Sequence, residues 1–186
     1  MVLSDADEKT GEYLDIIKNE IAGAERIVSD LLDSVRIRPP QRRRVQAEGL
    51  IRASLEKCRI PQKVKVDVRA KTQQTVLVDP LQTRQVFINL INNGVEAMPA
   101  GGTLSIESEN DPDGRVRFTI RDEGAGIRPG DMGKLFQPLF TTKARGIGLG
   151  LVVVKNLTEA NKGTIDVESE VGKGTTFTLT LPAAEA

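Results

Sequence analysis

Along the first fifth of the chain, apolar residues step by threes and fours. Leu14, Ile17, Ile21, Ala24, Val28, Leu31 and Val35 form one seam, Ile16, Ile27 and Leu32 widen it, and Glu12, Lys18, Glu20, Glu25, Arg26 and Asp30 keep the other face polar. This spacing predicts one coiled-coil-type helix from Gly11 to Arg36. Such a stripe needs a partner helix, and a second copy of the chain is the expected one; folding back on the remaining chain is the alternative. Pro39-Pro40 ends the helix and sets an extended hinge. The arginines from Arg42 to Arg44 read as a solvated linker, because no aromatic residues are interleaved with them for nucleic acid.

Beyond the hinge the period switches repeatedly. Ala47 to Cys58 is helical by pattern, Lys63 to Arg69 and Thr75 to Val78 read as strands, and Leu81 to Met98 reads as a long helix with Val86, Phe87, Leu90, Ile91, Val95 and Met98 on its apolar side. Thr103 to Glu109 and Arg115 to Arg121 flank the turn Asp111-Pro112-Asp113-Gly114 as a hairpin. A helix from about Gly148 to Ala160 and a closing hairpin, Thr164 to Ser169 and Thr175 to Leu181, complete the pattern. The expected fold class is α+β: a two-layer α/β sandwich in which helices cover one face of a mixed, mostly antiparallel sheet, with the N-terminal helix appended.

Composition narrows the function by exclusion. The 186 residues include 26 basic and 26 acidic ones, so no global charge draws the chain to nucleic acid or to a membrane surface. The lone Cys58 forms no internal disulfide, no apolar run is long enough to span a bilayer, and the start lacks signal-peptide shape, so a cytoplasmic location is expected. The chain has no histidine, which removes that side chain as metal ligand, general base or phosphoacceptor.

The candidate chemistry lies between Asp122 and Gly150, in DEGAGIRPGDMGKLFQPLFTTKARGIGLG. VRFTIR before it alternates as a strand, and LVVVKNL after it has the apolar character of a buried helix. Gly124 and Gly126, then Gly146, Gly148 and Gly150, leave the backbone bare at two places where a ligand could approach. The second cluster opens a helix, so free N–H groups and the positive dipole end face one point, the outline of a phosphate site. Two familiar motifs fail: GIGLG lacks the third-glycine spacing of a dinucleotide fingerprint, and GKGTT from Gly172 to Thr176 has Val167 where a P-loop needs its first glycine. In NLINNGVEAM, Asn89 and Asn93 are four residues apart and share one helix face, offering two neutral oxygens suited to a hard cation such as Mg²⁺. Solvent-facing or capping roles are the common alternative for such a pair.

NLINNGVEAM, DEGAGI, FQPLFTTK and GIGLGL, in that order, resemble the four sequence boxes of the ATP-binding domain of bacterial sensor histidine kinases, a superfamily shared with gyrase, Hsp90 and MutL. The resemblance runs from about Arg42 to Pro182, and the helix before RPP is similar to the second helix of the kinase dimerisation and histidine-phosphotransfer hairpin. It implies a partial hairpin helix over residues 1–38, a hinge over 39–45 and an ATP-binding catalytic domain over 46–186. It also implies site roles. Asp122 would accept from the adenine amine, with Gly124 and Gly126 letting the ring settle against the backbone. Asn93 would coordinate Mg²⁺ and Asn89 would assist at the metal or phosphates. Phe136 and Phe140 would anchor a mobile lid whose Lys143 reaches the phosphates. Gly146, Gly148 and Gly150 would hinge that lid and, with Leu149, line the phosphate side, while Thr176 would touch phosphate or support Asp122.

Departures refine the expectation. Asn89 stands where the ATPase members carry the water-positioning glutamate, which favours the kinase branch. Ala125 replaces a common proline, and Asn161 replaces a common histidine and reads as structural. The first hairpin helix and its phosphoacceptor histidine are missing, so autophosphorylation within the chain is excluded and the γ-phosphoryl group would pass to a histidine-bearing helix or domain elsewhere, then to a response regulator. A truncated piece of a longer sensor kinase is the simplest account, and a natural split kinase is the other. Whether the parent is membrane-anchored, and whether the chain forms a homodimer through its helix, stays open. The alternatives are an anti-sigma-type serine kinase, which has no need of the N-terminal helix, a superfamily ATPase, and a non-catalytic nucleotide-binding dimerisation module.

Overall fold

The computed structural model describes residues 13–14, 17–23, 38–70, 75–143 and 146–184. The chain divides into two compact units, Met1–Arg36 and Ile37–Ala186. In the first, residues 13–14 and 17–23 are helical, and Leu14, Ile17 and Ile21 of the seam are exposed. The rest of the seam, including Ile16 and the stretch from Ala24 to Val35, lies outside the described residues.

The second unit is the α+β sandwich. Five strands, β2 (Val64–Ala70), β4 (Gly102–Asn110), β5 (Val116–Asp122), β6 (Thr164–Glu170) and β7 (Gly174–Leu181), form one sheet in the order β2-β4-β5-β7-β6. Among the described residues, only β2 and β4 run parallel. The pairs β4·β5, β5·β7 and β6·β7 are antiparallel. Three helices, α1 (Ala47–Leu55), α2 (Pro80–Ala97) and α4 (Gly150–Ala160), contribute the other half of the core, and a single turn, α3 (Pro129–Met132), lies within the glycine-rich stretch.

The core follows from strand alternation. Val116, Phe118 and Ile120 of β5 and Phe177, Leu179 and Leu181 of β7 turn to one face and are buried, while Arg117, Thr119, Thr176, Thr178 and Thr180 lie on the other. Leu50 and Ile51 of α1, Val86, Phe87, Leu90 and Ile91 of α2 and Val154 of α4 cover the apolar face. Phe87 meets Phe118 edge-to-face, with ring centroids 5.2 Å apart and planes at 79°, the arrangement the ring quadrupoles favour.

One correction concerns the arginine run. It is not a linker throughout: Arg43–Gln46 forms strand β1, antiparallel to β3 (Thr75–Val78). Arg43 opposes Val78 and Gln46 opposes Thr75. The C-terminus closes on the same pair, with the Leu77 N–H donating to Pro182 O at 3.0 Å and the Ala184 N–H to Thr75 O at 2.7 Å.

A polar buckle fastens this end. Asp79 caps α2, its Oδ1 accepting from the N–H groups of Leu81 (2.9 Å) and Gln82 (3.2 Å), while its Oδ2 accepts from the Gln41 N–H at 2.8 Å. Asn161, just past α4 and 1% exposed, accepts the Asp79 N–H on Oδ1 at 2.7 Å and donates from Nδ2 to Gln82 Oε1 at 2.9 Å and Leu157 O at 2.8 Å. Gln82 in turn donates to Arg38 O at 2.8 Å. Arg38 and Gln41, the start of α2 and the end of α4 thus share one hydrogen-bond network. Replacing Asn161 with alanine strands the Asp79 N–H in a buried place, and an unmade buried hydrogen bond costs about 1–3 kcal/mol. Urea unfolding of Asn161→Ala is expected to show a loss of that size, with no change in the denaturant slope.

Candidate functional site

The site gathers around the second half of α2. Gly94 lies buried where this helix crosses the sheet: a Cβ placed there would come within 2.7 Å of Leu104 Cδ1 and 3.3 Å of Asp122 Cβ. That close approach puts Asn89 and Asn93, on the same helix, beside the end of β5. Asn89 donates from Nδ2 to Gly150 O at 3.3 Å, tying α2 to the start of α4. Asn93 presents Oδ1 to the Lys143 ammonium at 2.8 Å, and the same ammonium meets Glu96 Oε2 at 2.5 Å. Asp122, Asn93, Asn89, Lys143 and Gly150 are therefore brought together.

Asp122 is the buried anchor. Only 4% exposed, its carboxylate receives two backbone N–H groups, from Gly124 at 2.8 Å and Thr175 at 3.3 Å, both on Oδ1. The loop after it is set by close packing. At Gly124 a Cβ would sit 2.6 Å from Ala97 O, and at Gly126, with φ of 69°, 2.1 Å from Glu170 O. The Ala125 N–H donates to Ala97 O at 3.1 Å and the Gly172 N–H to Ala125 O at 2.9 Å. The bare backbone at these two glycines thus serves the seating of the loop between α2 and the β6–β7 turn.

The chain after α3 is pinched where Leu139 meets Gly148. Gly148, with φ of 75°, lies so near the chain at Leu139 and Phe140 that a Cβ would come within 2.5 Å of Leu139 C, and the Leu139 N–H donates to Gly148 O at 3.1 Å. Gly146 closes a turn by donating its N–H to Lys143 O at 3.2 Å. Leu149 is buried. At Gly150 nothing lies within 4 Å of a would-be Cβ, and no side chain caps α4, so the helix start faces open space. Of the apolar residues Leu135, Phe136, Leu139 and Phe140 it is Leu135 that is buried. Phe136 and Phe140 are half-buried, and the Lys155 ammonium sits 6.0 Å from the Phe136 ring centroid.

Comparison with known proteins is informative at this point. Residues 78–185 match the family described as histidine kinase-, DNA gyrase B- and HSP90-like ATPase. The chain belongs to that family. It is 35% identical over 181 residues to the sensor histidine kinase ZraS of Salmonella typhimurium, covering 95% of this chain and 39% of that one. With sporulation kinase A of Bacillus subtilis it shares 35% over 183 residues, 94% of this chain and 30% of the relative. Among solved structures it is similar to full-length ShkA in complex with AMPPNP (TM-score 0.76, 29% identity, 87% of this chain and 36% of that). It is also similar to the histidine kinase AdeS of Acinetobacter baumannii (TM-score 0.75, 26% identity, 92% and 84%). The chain spans less than two fifths of the length of the two curated relatives.

Within this family member, two site residues differ from expectation. Thr176 is not beside Asp122. It pairs with Arg121, and strand alternation turns its side chain to the sheet's open face; Thr175 stands opposite Asp122, donates the N–H to it and bonds Ser169 Oγ at 2.9 Å. Glu96 was missed entirely. Its signal was present, three residues after Asn93 and so on the same helix face, but a surface glutamate is chemically ambiguous until the lid lysine is seen against it.

Burial pushes the Asp122 carboxyl above its ordinary range, against the opposing pull of the Gly124 and Thr175 N–H groups and the Lys143 charge. A carboxyl with a raised folded-state pKa binds more protons folded than unfolded, so its contribution to stability falls as pH rises from the ordinary carboxylate value through the raised one. Asp122→Asn removes that term. Relative to the parent chain, the ligand-free variant is expected to gain stability as pH rises above the ordinary carboxylate range, as followed by urea unfolding at each pH.

Proposed function

We propose that the chain is the ATP·Mg²⁺-binding catalytic module of a two-component sensor histidine kinase, and that it hands the γ-phosphoryl group to a histidine outside this chain. The observation that carries this reading is the buried Asp122: both of its protein hydrogen bonds fall on Oδ1, which leaves Oδ2 to accept the exocyclic amine that distinguishes adenine from guanine. One relative named as a sensor histidine kinase and another named as a sporulation kinase support the same reading, as does similarity to ShkA solved in complex with AMPPNP.

The remaining residues take roles around that anchor. Asn93 Oδ1 already accepts a cation, the Lys143 ammonium, and a carboxamide oxygen of this kind suits Mg²⁺. When bound, the metal would neutralise phosphate charge. Asn93 would hold it and Asn89 would orient the phosphate end. Lys143 reaches the same space from the lid, and the N–H groups at Gly150 and the following residues face the opening for the phosphates. The glycines at 146 and 148 let the lid chain fold back on itself.

Asn89 favours the kinase reading over the ATPase one. A carboxamide cannot take a proton from an attacking water, so the site is suited to positioning phosphates for an external acceptor. With no histidine in the sequence, the acceptor is a histidine-bearing phosphotransfer helix or domain, and the downstream partner is a response regulator. The exposed residues Leu14, Ile17 and Ile21 suit a role for the N-terminal helix in pairing with a second copy.

Calorimetric titration with ADP and Mg²⁺ tests the adenine site. The parent chain is expected to bind, and Asp122→Ala to weaken binding at least ten-fold, the value of about 1.5–3 kcal/mol for a hydrogen bond to a charged group. A phosphotransfer hairpin added in trans should then become phosphorylated on histidine from ATP. Steady ATP hydrolysis abolished by Asn89→Ala, with no transfer to the hairpin, would instead establish the ATPase reading.

A further inference from the structure

The Lys143 ammonium is held by two oxygens of one helix face, Asn93 Oδ1 at 2.8 Å and Glu96 Oε2 at 2.5 Å. Positions 93 and 96 are one turn apart on α2, so their side chains converge without any rearrangement of the backbone. The lysine comes from the lid, beyond the pinch where Leu139 bonds Gly148. An oxygen pair made of a carboxamide and a carboxylate is the donor chemistry of a hard divalent cation as much as of an ammonium.

We propose that Asn93 and Glu96 together form a cation-exchange site. In the nucleotide-free chain Lys143 fills it and latches the lid to α2, and in the nucleotide-bound chain the divalent metal takes both oxygens while Lys143 moves to the phosphates. The proposal rests on the reading of this site as a nucleotide site, and it assigns Glu96 as a second protein ligand to the metal. Two cations compete for one pair of oxygens, so metal binding and lid release are one event. The phosphates supply the second partner that Lys143 needs when it leaves, so the ammonium is at no point left without a counter-charge.

The strength of the latch suits this use. Both side chains are partly open to water, Lys143 at 41% and Glu96 at 59%, and exposed ion pairs of this kind shift equilibria only a few-fold. The lid is thereby biased toward the latched state and remains easy to displace. A buried, dehydrated pair would hold the lid against the ligand.

The test is a comparison of the parent chain with Glu96→Gln, which keeps the size of the side chain and removes its charge. ADP affinity is measured by calorimetry with Mg²⁺ and with EDTA, and amide hydrogen exchange is followed over residues 139–148 without nucleotide and with ADP and Mg²⁺. The variant is expected to bind metal-free ADP about two- to five-fold more tightly than the parent, because Lys143 is released. The ratio of its affinities with and without Mg²⁺ should fall at least five-fold. Exchange of the lid amides should be faster in the nucleotide-free variant and equal to the parent in the presence of ADP and Mg²⁺. An unchanged metal ratio together with unchanged exchange, in a variant whose melting temperature matches the parent, would overturn the assignment of Glu96 while leaving the nucleotide site standing. Failure of the parent chain itself to bind ADP would overturn the nucleotide reading and this proposal with it.

Discussion

The burial of one carboxylate constrains most of the second unit. Asp122 ends the central strand β5, is almost wholly removed from water, and receives two backbone N–H groups on a single oxygen. Removing an ionised group from water is costly unless donors meet it, so the chain before and after it must be held in place. The next loop packs onto Ala97 of α2 and onto the β6–β7 turn, at Gly124 and Gly126, where a side chain has no room. The start of β7 presses so closely that a Cβ at Gly174 would lie 1.9 Å from Asp122 O. The same residue that would read adenine thus fixes where α2, β5 and β7 meet. A carboxyl whose charged form is disfavoured by its own surroundings is the kind of local cost that a fold retains for binding rather than for stability.

Around that anchor the site has a fixed half and an adjustable half. On the fixed side the partners of Asp122 are backbone groups of paired strands and a tightly packed loop, which can change only by breaking the sheet register. On the adjustable side the partners are long side chains: Lys143 spans from the lid to Asn93 and Glu96, and the start of α4 carries no side-chain cap. Preorganised backbone donors hold their place at no cost when a ligand arrives, whereas exposed ion pairs exchange partners readily. The base end of a nucleotide would meet a ready-made surface, and the phosphate end would meet one that rearranges.

Much of this was legible in the sequence. The order of strands and helices in the second unit follows from alternation and periodicity, since β5 and β7 alternate cleanly and α2 carries its apolar stripe at helical spacing. Asn89 and Asn93 stand out as carboxamides within an apolar helix, and Asp122 stands out as a strand-end acid followed by Gly124 and Gly126. What escaped notice did so for identifiable reasons. β1 reads as a charged linker because three of the residues from Arg42 to Arg44 are arginines, and only pairing with β3, some thirty residues later, makes a strand of its end. Thr175 and Thr176 are chemically identical, and a strand turns successive side chains to opposite faces, so register alone decides which of them meets Asp122. Leu135, not the neighbouring aromatics, is the lid residue that is buried, and the spacing of FQPLF does not reveal which side chain turns inward.

The far ends of α2 and α4 carry the other half of the logic. Each helix contributes to the site with one end and to the polar buckle with the other: α2 has Asp79 and Gln82 at its start and Asn93 and Glu96 toward its end, and α4 has Gly150 at its start and Asn161 just past its end. The buckle is nearly dry at Asn161 and each of its amide bonds has a defined partner. Because amide geometry is directional, such a network admits few alternative arrangements, unlike an apolar contact that can slide. Arg38 and Gln41, just before β1, bond into it directly. The placement of Arg38 and Gln41 and of the two site-bearing helices therefore depends on the same hydrogen bonds.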